Sequence, residues 1–394
     1  MDTANKFTQA RNRIIAGALL ALTALPASAQ EIDFDFYGYI MLDAIYDFDR
    51  VAPDWNDTLR PSQIPVNCPG DAGCGSDGET IFSVRQTRFG MRAGIPTDIG
   101  EIKTQLEFEL YGVGPDAGKV TPRLRHAWAE LNQFGAGQTN SVFMNPDVFP
   151  NSIDYWGPPG MIFFRNVQLR WTPLNTDDQR FAIALESPSA GVDSGKVPDI
   201  APGLNVRGKD ELPDLTAQWR LQKDWGHFQA AGILRQVGYE ALDDETEENF
   251  SGDELGYGLN LSGAVNTVGR DQVLWQIVYG RGIANYFNDG GVDLAPDAQL
   301  QATAVPIVGW LLFYNRWWSE RWSSSIGWSS ADLDNADGQR PEAFDKSNYG
   351  LVNLLHYPTE RVMVGAEFLH GKLELNDGSD GTDTRVQFSF KFSF

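Results

Sequence analysis

Histidine and cysteine are nearly missing from this chain of 394 residues, which carries four of the first and two of the second. The histidines, His126, His227, His356 and His370, are scattered, and no Ser/His/Asp spacing stands out around them. Acyl transfer needs a nucleophile and its base within hydrogen-bond reach, so no catalytic residue is assigned. Cys68 and Cys74 have no histidine or third thiol nearby, which removes a metal centre from consideration; no metal and no cofactor is expected. Basic residues are also scarce. There are 31 Lys and Arg against 53 Asp and Glu, a net charge of −22, and such a surface repels nucleic acid. Long apolar runs are lacking as well. The stretch 14–25 is about a dozen residues long, short of the roughly 20 that a spanning helix needs.

That short run has a different use. Lys6, Arg11 and Arg13 precede it and Ala27-Ser28-Ala29 follows it, which is the layout of a secretory signal peptide over residues 1–29. The mature chain, residues 30–394, then enters an oxidising compartment. There the Gly/Pro/Asp-rich stretch from Cys68 to Cys74 is expected to be pinned by a local disulfide.

What the chain does have is alternation. Val386, Phe388, Phe390, Phe392 and Phe394 fall on one face of a terminal strand; Arg385, Gln387, Ser389, Lys391 and Ser393 fall on the other. A strand of this length, tilted, crosses a bilayer with oil outside and water inside. The same reading predicts sixteen strands, near 34–48, 82–95, 101–112, 122–132, 135–143, 163–172, 180–187 and 213–223, then 226–236, 254–264, 271–281, 303–316, 321–330, 347–356, 361–370 and 384–394. Fourteen and eighteen are the competing counts. Connections after odd strands are long and those after even strands are short. This implies an all-β, transmembrane, antiparallel up-and-down barrel with outer loops and periplasmic turns. A mean hydropathy of −0.32 fits, because lumen-facing polar residues halve the apolar density of each strand. Sixteen strands leave an aqueous lumen, so the barrel conducts unless plugged.

The segment 144–162 is rich in proline and aromatics and poor in charge. Val148, Phe149, Ile153, Tyr155 and Trp156 have no reason to face water, so the segment is expected to fold into the barrel as a constriction loop, with Asp147 and Asp154 among its polar members. An outer loop packed at a subunit contact is the alternative. Opposite it, Arg85, Arg88, Arg92, Arg123, Arg125 and Arg165 are expected to form a basic constriction, since arginine on the lipid face near mid-bilayer costs about 2–4 kcal/mol. Alternation puts Arg88 and Arg92 on one face and Arg85 on the other, so Arg85 requires a bulge or a place at the rim. Parity adds Lys103, Arg170, Arg220, Arg385 and Lys391 as lumen cations, with Asp43, Glu107, Glu109 and Glu367 as the fewer lumen acids. Guanidiniums beside a narrowing favour anions, carboxylates above all, despite the acidic total. The excess acid lies in outer loops, notably 240–254 with Asp243, Asp244, Glu245, Glu247 and Glu248. It is solvated there, or bridged by divalent cations to lipopolysaccharide phosphates of the outer-membrane lipid.

Several blocks resemble DcaP-like outer-membrane porins. They are 36–48 (Phe-Tyr-Gly-Tyr-Ile-Met-Leu-Asp-Ala-Ile-Tyr-Asp-Phe), 55–62 (Trp-Asn-Asp-Thr-Leu-Arg-Pro-Ser), 83–90 and 125–131, and most specifically 134–141 through 154–158 to 164–168. The resemblance implies a homotrimeric sixteen-stranded porin of the bacterial outer membrane, with a constricting third loop and uptake of small, often dicarboxylic, anions. Family members often carry a coiled-coil segment between signal and barrel, and residues 30–33 leave no room for one. Trimer contacts are then expected on the wall, for example on 305–313, which is apolar on both parities. The remaining readings are a non-conducting barrel anchor, an energised transporter, for which no plug domain is visible, and a barrel enzyme.

Overall fold

The computed structural model describes residues 32–66, 77–200, 206–241, 251–299 and 301–394. The signal segment 1–29, Cys68 with Cys74, and the acidic run at 242–250 lie outside the described residues.

Among the described residues, sixteen wall strands pair antiparallel with their neighbours in one sheet. They are β1 (Asp33–Asp47), β2 in two pieces (Glu79–Ser83 and Arg88–Thr97), β3 (Gly100–Tyr111), β4 (Val120–Leu131), β5 (Phe134–Asn140), β6 (Arg165–Asn175) and β7 (Gln179–Glu186). Next come β8, also in two pieces (Val206–Lys209 and Asp214–Lys223), β9 (Gly226–Ala241), β10 (Ser251–Asn266), β11 (Gln272–Arg281) and β12 (Pro306–Ser319). The series ends with β13 (Trp322–Leu333), β14 (Phe344–Thr359), β15 (Val362–Leu375) and β16 (Asp380–Ser393). β16 pairs with β1 from Tyr39↔Ser393 to Asp47↔Arg385 and closes the cylinder. Closure is obligatory, because each unpaired backbone group in hydrocarbon costs several kcal/mol.

The terminal alternation becomes two environments. Phe388, Phe390, Phe392 and Phe394 are 46–52% exposed on the outer wall, whereas Gln387 and Ser389 are 0–1% exposed inside it. β1 behaves alike, with Phe34, Phe36, Ile40 and Leu42 outside and Asp43 buried within. Phe134, Trp171, Trp219, Trp225, Trp318 and Trp322 are exposed near the short-turn end, where amphipathic rings suit the headgroup region. In the turn from β4 to β5, Asn132 adopts φ 55°, and its amide donates to the Ile99 carbonyl at 2.9 Å.

Two stretches differ from the sequence expectation. β15 and β16 extend past the expected 370 and 384, so the last long loop shrinks to residues 376–379. Beyond the bilayer, pairing no longer requires an apolar outer face, and on β15 the alternation inverts, with Leu373 buried inside and Lys372 and Glu374 outside. The region 49–81, expected as an outer loop, turns inward over its described part: Leu59 and Ile64 are 0% and 3% exposed.

The interior is asymmetric. On the arc from β9 to β15, Ile233, Leu274, Val278, Leu311, Phe313, Tyr349 and Leu351 form an apolar core with Val148, Met161 and Ile162 of the inward loop. Gly160 lies against the backbone of Trp310 and Ser330, leaving no space for a Cβ. This accounts for the double apolarity of 305–313. Ile307, Leu311 and Phe313 pack inside, and Val308, Trp310 and Leu312 face outward, so no subunit contact is needed to explain the pattern.

An arginine in place of Phe388, on the lipid face of β16, is expected to destabilise the barrel by about 2–4 kcal/mol in denaturant titrations in lipid vesicles. The same replacement at Ile99, in the turn between β2 and β3, is expected to cost under about 1 kcal/mol.

Candidate functional site

The segment 141–164 leaves β5 and crosses the lumen before β6 begins. Its peptide groups are withdrawn from bulk water and need partners. The wall supplies them, mostly as neutral amides. Asn260 donates to the Phe143 carbonyl (2.8 Å), Gln229 to Met144 (3.0 Å) and Asn353 to Asn151 (2.7 Å). Gln86 and Gln387 both donate to Ile153, each at 2.8 Å, and Gln276 donates to Gly160 at 3.2 Å. One carboxylate gathers the donors at the tip. Glu367 accepts from the Ser152 hydroxyl (2.7 Å), the Ile153 and Asp154 N–H groups (3.2 and 3.0 Å) and the Asn353 amide (2.7 Å).

Asp154 then ties this loop to the inward part of 49–66. It accepts from the Thr58 hydroxyl (2.7 Å), the Leu59 and Gly157 N–H groups (3.0 and 3.1 Å) and the Tyr349 hydroxyl (3.1 Å). Burial pushes its carboxyl pKa up, and the Thr58, Leu59 and Gly157 donors oppose that shift. Tyr155 stacks flat on Tyr111 with centroids 3.6 Å apart, and its hydroxyl donates to Glu109. Burial and the Glu109 charge hold the phenol well above the usual tyrosine range, so it remains a donor.

With the loop fixed to one side, a cavity of about 760 Å³ remains against β2 to β6. Phe149, Tyr155 and Trp156 of the loop line it, with Arg88, Arg123, Arg125 and Arg165 of the wall. Glu107 and Glu109 stand behind these arginines on β3. Arg125 bonds both, at 2.6 and 2.7 Å; Arg88 lies 3.6 and 3.4 Å from them, and Arg123 lies 3.5 Å from Glu109. A bulge opposite Glu107/Phe108 makes Arg125 an extra residue, so Arg125 and His126 both turn inward. Bulges commonly re-aim side chains in this way. Arg165 has no carboxylate and no hydrogen bond among the described residues, and its Nη1 is buried without a partner. Four guanidiniums therefore stand with two carboxylates on this wall, and Arg165 meets Glu109 only through space.

Two arginines expected in this group are elsewhere. β2 is interrupted at 84–87, and there Arg85 turns inward into a buried pocket. It bonds Asp57 (2.6 Å) and the Gly112 carbonyl (3.0 Å) and lies 3.9 Å from the Tyr111 ring, holding the inward part of 49–66. Arg92 is four residues from Arg88, roughly 13 Å along the strand, and pairs across with Asp35 at 3.5 Å, largely exposed. Asp147 is ion-paired with Arg220 at 2.6 Å, away from Asp154. Arg385, expected to add to the basic lumen, is neutralised by Asp47 and Asp383 at 2.5 and 2.6 Å.

Arg60, in the connection 49–81, is not among the arginines expected at the constriction. Its guanidinium sits between the Trp55 and Trp156 rings, 4.4 and 4.3 Å from their centroids, and bonds Asp289 at 3.0 Å on the cavity rim. The signal available was Trp55 followed by Arg60 in an otherwise polar loop. The histidines occupy four separate places. His126 meets Thr139 (2.9 Å), His227 meets Asn145 (3.0 Å), His356 stacks on Trp322, and His370 meets Thr384 (3.0 Å).

Comparison with known proteins agrees with this architecture. The model of the family described as DcaP outer membrane protein matches residues 15–394. The crystal structure of the outer membrane channel DcaP of Acinetobacter baumannii is similar at TM-score 0.79 and 20% identity, covering 93% of this chain and 99% of that one. An anion-selective porin from Comamonas acidovorans is similar at 0.57 and 9% identity (92% and 100% covered). The trimer form of OmpT, an outer membrane protein of Vibrio cholerae, gives 0.54 and 11% (93% and 100%). No curated protein sequence matches the chain.

Replacing Glu367 with alanine strands four donors at the loop tip. Each buried unsatisfied group costs about 1–3 kcal/mol. The variant is expected to show a lower unfolding midpoint, together with larger and noisier single-channel conductance as the loop leaves its seat.

Proposed function

The chain belongs to the DcaP outer membrane protein family, and we propose that it is a passive porin selective for small anions, dicarboxylates in particular. The observation that carries this reading is the imbalance at the cavity wall. On this wall Arg88, Arg123, Arg125 and Arg165 outnumber Glu107 and Glu109, and Arg165 makes no side-chain hydrogen bond or ion pair among the described residues, meeting Glu109 only through space. Of the other acids lining the cavity, Asp154 is held by the loop donors and Asp289 by Arg60, which leaves Glu342. Tyr155 and Trp156 of the loop and these arginines line the same cavity, so a solute crossing it passes within reach of the Arg165 guanidinium. Arginine's planar fork matches a carboxylate in two parallel bonds, and low-dielectric walls strengthen its field. A dianion gains twice from the same excess charge.

Arg60 extends the path outward. Its charge is shared with Asp289 and with two indole faces, so it guides anions without binding them tightly. The working unit is a homotrimer, for which the trimer form described for the Vibrio protein is the precedent. Export uses the segment 1–29 as a cleaved signal. A channel of this kind performs no catalysis; the scattered histidines serve packing and polar contacts.

The zero-current potential of the purified trimer in a potassium chloride gradient tests the proposal. Anion selectivity is expected in the wild type; cation selectivity, or absence of conductance, refutes it. A unit charge acting on an ion at about 8 Å with an effective dielectric constant near 40 is worth roughly 1 kcal/mol. Arg165→Gln is therefore expected to reduce the relative anion permeability about fivefold.

A further inference from the structure

A second set of guanidiniums lines the lumen toward the short-turn end. Arg180 on β7 and Arg220 on β8 are direct cross-strand partners. Both share the inward parity of buried neighbours, Ala182, Ala184 and Glu186 on one strand and Thr216 and Gln218 on the other. The turns at 176–178 and 224–225 follow within a few residues, which places the pair on the periplasmic side of the inward loop. Like charges directly opposite each other on a sheet face repel. In the first cluster this is avoided, since Arg88 and Arg123 are each set across from Glu109.

Two acids lie within range of the Arg180–Arg220 pair, Asp147 and Glu130, and only the first is in a direct ion pair. Asp147 pairs with Arg220 at 2.6 Å, and Glu130 accepts from the Trp128 indole at 3.3 Å. Arg170 stands beside them on β6. Its Nε donates to Gln168 at 3.0 Å and its Nη2 to the Asn140 carbonyl at 2.6 Å, with the guanidinium 4.9 Å from the Trp128 ring. Those hydrogen-bonding partners are neutral, and Glu186 and Glu130 act on it only through space. Arg180 has no hydrogen bond and no ion pair among the described residues, and its Nε is a buried donor without an acceptor. An arginine held opposite another arginine, with an orphaned donor, is a seat for an anion.

We propose that Arg180, with Arg170 and Arg220, forms a second anion subsite on the periplasmic side of the loop, receiving a carboxylate of a small dicarboxylate after it leaves the Arg165 group. The inference rests on the anion-selective reading and goes beyond it: the path holds two successive stations, and a bound dianion relieves the repulsion that the empty pair carries. Loss of the Arg180 fork removes the bidentate contact.

The test is block of chloride current by succinate added separately to each side of channels inserted in one orientation. Arg180→Gln is expected to raise the half-blocking succinate concentration from the periplasmic side about tenfold, the equivalent of one charge-assisted hydrogen bond, with a smaller change from the outer side. Asp147→Asn, which frees Arg220, is expected to shift periplasmic block the opposite way. Arg165→Gln serves as the reference variant. Unchanged periplasmic block in Arg180→Gln, or weakened block in Asp147→Asn, overturns the second subsite. If Arg165→Gln also leaves the zero-current potential at the wild-type value, the anion-selective reading itself falls; if Arg165→Gln shifts that potential, only the second subsite does.

Discussion

A loop drawn into a barrel carries its peptide groups away from water, and everything else in this protein follows from how those groups are satisfied. The wall answers with amides from β2, β9, β10, β11, β14 and β16 and with two carboxylates: Glu367, which collects three donors from the loop tip and one from Asn353, and Glu186, which accepts from the Ser141 hydroxyl and the Val142 N–H. Neutral amides suit this task. They satisfy backbone groups without adding charge to a low-dielectric interior, where an unpaired ion is expensive. Glu367 and Glu186 are the exceptions; four donors surround the first, and Ser141, Val142 and Thr216 donate to the second.

Seating the loop divides the lumen. Against β9 to β15 it makes an apolar core of the kind found inside soluble domains, so that side of the barrel is closed to solutes. The open side is the arc from β2 to β8, with Arg88, Arg123, Arg125 and Arg165 on its β2 to β6 part and Arg180 and Arg220 beyond it. Position matters more than total charge. A chain with a net charge of −22 presents a basic passage because its acids along this arc are fewer than its arginines and sit behind them. The bulge in β4 turns Arg125 inward beside His126, which strict alternation forbids.

Much of the wall was legible in the amino-acid order. Lipid imposes one rule on every outward residue, and Phe388 to Phe394 or Phe34 to Leu42 obey it without exception, so strand number and facing came out directly. Where that rule lapses, reading failed. β15 and β16 rise beyond the bilayer, where β15 alternates in the opposite sense, with Leu369 and Leu373 buried inside and Lys372 and Glu374 outside, so the lipid rule no longer marks it. Interior placement depends on contacts between segments far apart in sequence. Arg85 was separable from Arg88 and Arg92 by parity, yet its Asp57 and Tyr111 partners were not foreseeable. Arg60 reaches the cavity because Trp55, Trp156 and Asp289 converge on it from separate segments, which no local pattern announces. Arg180 was overlooked because it opens its strand, where alternation has barely begun.

The central claim is that the seated loop confines permeating ions to the arginine side of the lumen and that anions, not cations, dwell there. Anomalous diffraction from crystals of the channel soaked separately in bromide and in rubidium tests this most directly. The account predicts bromide density within hydrogen-bonding reach of Arg165 and its neighbours Arg88 and Arg123, and no rubidium in that space. Rubidium at these arginines, or bromide running instead along the β9 to β15 side, would contradict it.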